Sequence, residues 1–462
     1  MGKIIFNENK NNINTTWVLF KLLVSILPLA FFWMLSCSDE IPGDDDMASL
    51  DFKQYTVGNR NNAQDSGAWW GENITKIAHH GNKAYTFIID NIVLPRTAFL
   101  YEKTDGGEWI EGESFVVSRP PNILVDSQGY AQVIGFEPFN PSASMYDGWL
   151  FHVKFNNADT VIGDYTKTYI TEDYRPNSPE VSTYATIYCG AAIGREDIIV
   201  VAYNNSVQGD TPGAHGLGVR IYNPSNQTWT YESVAENMIS RHAYPFAFVS
   251  DTYFHVYAVE DDYDTYYETA GPPYNEYCYR YGMVKHFQRP ISGGAWEETT
   301  LIDFNSTKTK EEIWDASLRI VDFHVDSGNT IHALIRYKET GDKIPKCYHY
   351  RKKESETAWT SEEILPKATE KTGLYWARIW ERNDNKLFYI CYTWGEQIWL
   401  SPINTNTLYT ISNLEGQYKQ DATPFISSFR SGSQLSSDIY MVVYSGSYEI
   451  KAKSVDVSTS GI

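Results

Sequence analysis

Few of the patterns that mark helical, metal-binding or nucleic-acid-binding proteins occur in this sequence. No long stretch after residue 50 places apolar residues at helical spacing, which argues against a helical fold. The five cysteines form no CxxC pair and no Cys/His cluster with zinc-like spacing, so no metal site is predicted. The net charge of −20 disfavours a nucleic-acid partner, because that interaction requires a basic surface.

Common catalytic motifs and interdomain linkers are also missing. There is no G-x-S-x-G elbow, P-loop or HExxH motif. No Pro/Ser/Gly-rich linker follows residue 60, which argues against a row of separate β-sandwich domains. The four cysteines after residue 100 lie in apolar strand patterns, so we expect mostly buried thiols; a Cys278–Cys347 bridge is the alternative left open.

Aromatic residues and a repeated strand pattern are abundant. Aromatics make up 15% of the chain, including 34 Tyr and 14 Trp, a composition that favours strands. One unit recurs: a short apolar strand, a tight polar turn, a strongly apolar strand, a variable loop, a third strand, and a fourth strand marked by Trp or Tyr. The turns between first and second strands include His80-Gly81-Asn82, Asp126–Gly129, Gly194–Asp197, Ser250-Asp251, Asp326–Asn329 and Asn383–Asn385.

This repeat predicts an all-β fold, a seven-bladed β-propeller with four-stranded antiparallel blades. A four-stranded sheet buries both faces only between neighbours, and a closed ring provides such neighbours for every blade. The prediction assigns residues 49–462 to a single propeller domain. The seventh unit has no obvious fourth strand, and Leu50–Val57 could supply it and close the ring.

The N-terminus is typical of an exported, lipid-anchored protein. A Lys-containing region precedes the apolar run Leu22–Leu35, which ends in Ser36-Cys37, so residues 1–36 are predicted to be a signal peptide. The small residue before Cys37 resembles a bacterial lipobox, which implies lipidation of Cys37. Residues 37–48 form an acidic tether whose start resembles the surface-export signal of Bacteroidetes lipoproteins, so we expect an outer-membrane location. An uncleaved transmembrane anchor is the alternative.

Candidate binding residues lie in insertions between second and third strands. The longest insertion, Glu260–Cys278, contains Tyr266 and Tyr267, and aromatic side chains in such a loop suit stacking on sugar rings. Its acidic part offers oxygen ligands for Ca²⁺ but matches no known loop motif, and solvated charge is the simpler interpretation. His215 lies in the preceding insertion, and Arg220 is expected to begin the strand that follows.

Polar residues at the starts of the first strands are expected to point into the central channel. The catalytic candidates are His242, Tyr244, Arg319 and Arg378, and the further substrate-binding candidates at this level are Tyr188 and Tyr375. Propeller channels are wet, so a purely structural role for each residue stays open. The register could also slip by one residue, which would reverse every inside and outside assignment.

Two segments, Pro121–Gly129 and Val321–Gly328, resemble the degenerate repeats of seven-bladed polysaccharide lyases acting on ulvan-type glycans and their rhamnosidase relatives. The segment from Arg241 to Phe246 is the closest local match. In such lyases a His here works with a second His after the next strand, together with Tyr and Arg. In this chain Glu260-Asp261-Asp262 occupies the place of the second His.

The resemblance implies β-elimination on a uronic-acid-containing polysaccharide. That reaction needs a base to remove the C5 proton and cations to stabilise the developing enolate. His242 or Tyr244 would move the proton, and Arg319 and Arg378 would hold the carboxylate. The alternatives are a non-catalytic glycan-binding lipoprotein, a glycoside hydrolase and a protein-interaction propeller. No cofactor is predicted.

Overall fold

The structure is a computed structural model. It describes residues 48–50, 52–61, 73–90, 95–138, 148–170, 189–204, 215–238, 241–263, 279–364, 374–393, 397–405, 407–413, 424–444, 449–459 and 462. All of these belong to one compact unit, Ala48–Ile462. Within the described residues, no helix has the length and apolar character needed to span a membrane. The predicted signal peptide, Cys37 and nearly all of the tether lie outside the described residues.

The described strands form seven sheets, each with a core of four strands, as the repeat predicts. Strands β3 to β6 (Ile77–His80, Lys83–Asp90, Thr97–Lys103, Trp109–Val116) make blade 1, and β7 to β10 (Asn122–Val125, Ala131–Glu137, Trp149–Phe155, Tyr165–Tyr169) make blade 2. Blade 3 contains β11 to β14 (Gly190–Ile193, Ile199–Asn204, His215–Asn223, Thr228–Met238), and blade 4 contains β15 to β18 (Arg241–Val249, Tyr253–Tyr263, Tyr279–Pro290, Glu297–Asp303).

The remaining sheets follow the same order from the centre outward. Blade 5 contains β19 to β22 (Arg319–Val325, Thr330–Tyr337, Lys346–Lys353, Thr360–Glu363). Blade 6 contains β23 to β26 (Leu374–Glu381, Leu387–Thr393, Gln397–Pro402, Tyr409–Asn413), with the short strand β1 (Ala48–Ser49) added in parallel to β26. Blade 7 contains β27 to β29 (Pro424–Ile426, Asp438–Tyr444, Glu449–Ser458) and β2 (Phe52–Asn61).

The predicted closing strand is confirmed. β2 pairs antiparallel with β29 from Phe52↔Val457 to Asn61↔Glu449 and so supplies the fourth strand of blade 7. Val57 is 3% exposed and packs in the cluster that joins blades 7 and 1 with Tyr101 and Tyr444. An N-terminal strand therefore holds the C-terminal blade, which makes closure of the ring a long-range contact.

Two sides of the ring are distinguished by their connections. The turn face carries the connections between first and second strands, such as those after Val125, Ile193 and Val325, and the connections between third and fourth strands. The loop face carries the connections between second and third strands and between blades. Each first strand begins at the loop face. Ala48 pairs with Tyr409, the first residue of β26, so the described chain begins at the turn face.

Aspartates at the start of two turns organise the turn face. The Asp126 carboxylate accepts hydrogen bonds from the Gln128 and Tyr130 amides, at 3.2 and 2.9 Å. Asp326 accepts from the Gly328 and Thr330 amides in the same way, at 2.9 and 2.7 Å. The short Asp side chain thus fixes the tight reversal that the Asp-Ser-x-Gly and Asp-Ser-Gly-Asn patterns predict.

The serine that follows each of these aspartates links its blade to the next. Ser127 donates through its amide and its hydroxyl to the Asp197 carboxylate of blade 3, both at 2.7 Å. Ser327 donates to Glu381 of blade 6 at 3.0 Å from its amide. These bonds join neighbouring turns, so the turn face is a connected rim.

Buried histidines form polar relays between β-strands. In blade 5, Nε2 of His332 lies 3.1 Å from Asp326, and its Nδ1 lies 2.8 Å from Nε2 of His349. In blade 4, His255 lies 2.9 Å from Glu354 and 3.1 Å from His286. Burial lowers the pKa of His349 to about 2, and the positive charge of neighbouring groups acts in the same direction. Burial likewise lowers the pKa of His255, His286 and His332, so these rings are neutral, and within each blade two of them hydrogen-bond to each other.

Several details depart from the sequence expectations. One helix, α1 (Lys310–Ala316), precedes blade 5 and begins with a capping box between Thr309 and Glu312. In blade 7 a 3₁₀ turn, Phe429–Ser431, follows the short first strand, which ends at Ile426. Cys189, Cys347 and Cys391 are buried thiols, as expected for most cysteines; Cys278 lies outside the described residues.

Candidate functional site at the channel mouth

A backbone irregularity places Tyr244 at the loop-face end of the channel. The pairing of β15 with β16 shifts register between Ala243 and Phe246, which is a β-bulge. Tyr244 lies in this bulge with φ of 48°, in the left-handed region. That conformation is rare for an aromatic residue, and strained residues of this kind cluster at functional sites.

Two neighbours fix the bulge. Asn73, which is fully buried ahead of blade 1, donates its side-chain amide to the Pro245 carbonyl at 2.9 Å. On the other side Gly190 approaches so closely that a Cβ there would lie 2.0 Å from the same carbonyl oxygen. Only glycine fits at that position. The conformation of Tyr244 is thus set by contacts from the segment ahead of blade 1 and from blade 3.

Tyr244 lies in one aromatic and cationic group with Tyr281 and Arg319. The rings of Tyr244 and Tyr281 are 6.4 Å apart, and the guanidinium carbon of Arg319 lies 4.4 Å from the Tyr281 ring centroid. Arg319 is directly opposed in register to Arg336 on β20. Two arginines of intermediate exposure therefore lie beside the strained tyrosine, at the loop-face end of the channel, which we call the mouth. The structure brings together Tyr244 and Arg319, two of the four predicted catalytic residues.

Sequence reasoning missed Tyr281 and Arg336. Tyr277, Tyr279 and Tyr281 alternate with Cys278 and Arg280, and this period of two was the available signal for one face of a strand. Arg336 could have been found by pairing the ends of the first and second strands of blade 5, because residues directly opposed in a hairpin project from the same face.

Below the mouth, the channel holds an excess of buried positive charge. A cavity of about 10 Å³ is lined by three cations, Lys76, Arg378 and Arg430, and by one carboxylate, Asp322. Burial lowers the pKa of Arg430 to about 10, Asp322 opposes the shift and Arg378 adds to it. Like charges at this depth are weakly screened and raise the potential toward the mouth.

The Arg378 side chain is buried in the middle of the channel. It is 3% exposed and donates to the carbonyl oxygens of Val321 and of Pro424, the latter at 3.3 Å. It lies 3.7 Å from Asp322. A space of about 10 Å³ holds no more than one water molecule, so a sugar ring does not reach this guanidinium. Arg378 contributes charge here, whereas Arg319 is placed to make contact.

The other sequence candidates lie apart or outside the described part. Arg220 was expected to begin its strand, but β13 begins at His215 and Arg220 lies in its middle. Its Nε donates to the Tyr203 hydroxyl at 3.3 Å and its guanidinium stacks on Tyr231, so it belongs to the body of blade 3. His215, His242 and Tyr375 are described only as backbone positions at loop-face ends of strands, and Tyr188, Tyr266 and Tyr267 lie outside the described residues.

The place of the second histidine is occupied by an ion pair. Glu260 is the register partner of His242, and its carboxylate lies 3.6 Å from Nζ of Lys285. Most of the acidic run that continues from it lies outside the described side chains. Within the described ranges, no group of three or more His, Cys, Asp or Glu side chains is placed to hold a metal ion.

Comparison with known proteins gives a fold and no family. No family profile matches the sequence, and no curated protein does. Among solved structures, the polysaccharide lyase Uly1 superposes with a TM-score of 0.54 at 9% identity, over 89% of this chain and 100% of the lyase.

Two further structures superpose less closely. A protein of unknown function from Dyadobacter fermentans gives a TM-score of 0.43 at 11% identity, over 73% of this chain and 94% of its own. The α-L-arabinanase of Penicillium chrysogenum gives 0.42 at 8% identity, over 89% and 99%. At such identities the likeness concerns the fold alone. The resemblance of this sequence to propeller polysaccharide lyases is thereby confirmed as a weak resemblance, at the level of a seven-bladed fold.

Proposed function

We propose that this protein is a lipid-anchored, outer-membrane propeller that binds a uronic-acid-containing polysaccharide at the loop-face mouth of its channel and cleaves it by β-elimination. The observation that carries the proposal is the group of Tyr244, Tyr281 and Arg319 at the mouth, above buried cations. The fold shared with a polysaccharide lyase supports it.

The residues at the mouth supply the base and the cations that β-elimination needs. Arg319 would hold the uronate carboxylate and stabilise the negative charge that develops when the C5 proton leaves. Tyr244 or His242 would remove that proton, and the bulge would hold the Tyr244 ring in one orientation. The buried cations Lys76, Arg378 and Arg430 would attract the polyanion and favour the deprotonated form of a base nearby.

The test is turnover of uronic-acid polysaccharides, followed by the ultraviolet absorbance of the unsaturated uronate product. We expect Arg319→Ala and Tyr244→Phe to lose at least about 100-fold in rate, as expected for loss of a group that stabilises the transition state. Arg195→Ala is the matched control, because Arg195 is an exposed arginine on the turn face, 3.1 Å from Asp251. Full activity in Arg319→Ala would overturn the assignment.

A second candidate is a non-catalytic glycan-binding lipoprotein. The ion pair between Glu260 and Lys285 favours it, because a carboxylate stands where the resembling lyases have a second histidine. This candidate predicts no absorbance change with any polysaccharide, but retarded migration in a gel that contains the glycan. Under it, Arg319→Ala would weaken the retardation.

A further inference from the structure

The turn face has a larger cavity than the channel. It measures about 610 Å³, against about 170 Å³ at the turn-face end of the channel and about 10 Å³ in its middle. It lies between blades 5 and 6, on the side opposite the proposed catalytic mouth. Its volume falls in the range of about 300–1,000 Å³ that is typical of small-molecule sites.

The floor of this cavity is apolar. Phe388 and Pro402 are paired in register on β24 and β25, and Ile403 and Tyr409 continue the surface. Phe388 is 1% exposed, whereas the other three are half-buried. Phe388 therefore supports the floor from beneath, and Pro402 and Tyr409 offer the accessible surface. Such a surface suits the C–H face of a pyranose ring, which packs on aromatic and proline side chains.

Amide side chains stand on the rim. Asn385 and Asn404 both lie in turns with left-handed backbone, at φ of 63° and 70°, a conformation that asparagine tolerates. Oδ1 of Asn404 accepts a hydrogen bond from Arg351 at 2.9 Å, and its Nδ2 group is a donor. An amide offers both a donor and an acceptor, which matches neighbouring sugar hydroxyls.

Two cationic side chains, Lys386 and Arg351, line the cavity. The Lys386 side chain is 60% exposed, and its closest acidic partner, Asp384, is 3.7 Å away. Arg351 lies 3.4 Å from Glu362 and binds Asn404. The carboxylate at the inner end, Asp326, is already occupied by two backbone amides and His332. Lys386 is therefore the more exposed of the two cations, with the longer ion pair, and is the better placed to meet an incoming anion.

We propose that this cavity binds an acidic monosaccharide unit, a hexuronate whose ring packs on Pro402 and Tyr409, whose hydroxyls bind Asn385 and Asn404, and whose carboxylate meets Lys386. The proposal rests on the proposed function in one respect only, namely that the same polymer carries the acid. A second attachment point on the turn face would raise the avidity for a long glycan without taking part in cleavage.

The experiment is titration of the purified protein with sodium glucuronate, followed by saturation-transfer NMR, with glucose as the neutral comparison. We expect a dissociation constant on the order of 1 mM, weakened about fivefold in Lys386→Met, which keeps the apolar stem and removes the charge. Lys83→Met is the matched control, because Lys83 also lies on the turn face, 3.4 Å from an exposed aspartate, Asp105. It should bind as the unchanged protein does.

Two results would overturn the proposal. One is unchanged glucuronate binding in Lys386→Met together with its loss in Arg319→Ala, which would place the binding in the channel and leave the proposed function standing. The other is no binding of glucuronate at all by a protein that still cleaves the polymer. Loss in Lys386→Met with retention in Arg319→Ala supports the second site even if no polysaccharide is cleaved.

Discussion

The side-chain amide of Asn73 donates a 2.9 Å hydrogen bond to the carbonyl oxygen of Pro245, a residue 172 positions away on the first strand of blade 4. Asn73 precedes blade 1, so this bond joins the segment ahead of one blade to the inner strand of another. The contact fixes the bulge that contains Tyr244, whose ring packs against the cores of both regions. The geometry of the mouth thus depends on an amide far from it in sequence.

Asn73→Ala is expected to destabilise the protein by about 1–3 kcal/mol, because it leaves a buried carbonyl without its donor. The free energy of unfolding from urea titration measures this. Asn82→Ala removes a side-chain amide that binds Asp105 at an exposed turn, and it should cost less than about 0.5 kcal/mol. Equal effects of the two variants would contradict the assigned role of Asn73.

Gly190→Ala is expected to destabilise by about 1–3 kcal/mol and to displace the bulge, since the new Cβ would lie 2.0 Å from the Pro245 oxygen. Gly106→Ala is the control, because the closest atom to a Cβ there is 3.7 Å away on a flexible threonine. Thermal melting and near-ultraviolet circular dichroism, which reports tyrosine environments, measure the two effects. A Gly190 variant that melts like the Gly106 variant would exclude the close contact.

Val57→Asp is expected to open the ring, because it buries a charge in the cluster that joins blades 7 and 1. The cost should be about 3 kcal/mol or more, and unfolding should remain cooperative. Phe52→Asp, on the same strand β2 but at a side chain 39% exposed, should be nearly neutral. Similar melting temperatures for both variants would show that β2 does not hold blade 7.

Arg430→Met is expected to leave the fold intact or slightly stabilised, because it removes one of three buried cations lining the same small cavity. Affinity for an acidic glycan should fall and become less sensitive to salt. The measurement is glycan affinity at several salt concentrations beside a urea titration. Unchanged affinity and salt dependence would show that the buried charge of Arg430 does not affect glycan binding at the mouth.

Stability should fall as the pH is lowered from about 7 to 5. Burial lowers the pKa of His79 to about 4, of His152 to about 3 and of His349 to about 2, from an ordinary value of 6.5. A histidine with a lowered folded-state pKa contributes stability above its unfolded pKa. Below about pH 6.5 the unfolded chain binds protons at these histidines and the folded protein does not. The free energy of unfolding therefore falls by about 1.4 kcal/mol per pH unit for each such proton.

Urea midpoints at pH 7, 6 and 5 test this. His349→Gln should lower the stability at neutral pH, because the side chain also holds the Tyr389 hydroxyl, and it should reduce the slope with pH by about one proton. Midpoints that do not change between pH 7 and 5 would mean that these rings are not buried as neutral groups.

The blades were predictable because each carries its own local signals. The Asp-Ser turns, the apolar second strands and the aromatic fourth strands repeat in sequence, and Trp109 and Tyr409 do begin fourth strands. The closing strand was predictable because the seventh unit had no obvious fourth strand and Leu50–Val57 lies ahead of the first unit. Because the local sequence pattern agrees with the overall fold here, the repeat alone was enough to predict the blades.

Only some of the residues at the mouth could be predicted from the sequence. Tyr244 and Arg319 were identified by their level in the repeat, but the bulge follows from the approach of Asn73 and Gly190, which no local pattern records. Arg220 was misplaced for a related reason. Glycines around Leu217 indicate a loop, yet Gly218 lies within the strand, where a Cβ would meet the Tyr231 ring at 2.8 Å. Contacts with other strands decided both cases.

The pairing of Ala48 with Tyr409 has a practical consequence for how the protein can be held. A chain attached ahead of residue 48 joins the ring on the turn face. A biosensor surface or resin coupled at that position would therefore leave the Tyr244 mouth open to solution, while crowding the cavity beside Lys386. Coupling chemistry alone could then be used to examine the two sides of the molecule separately.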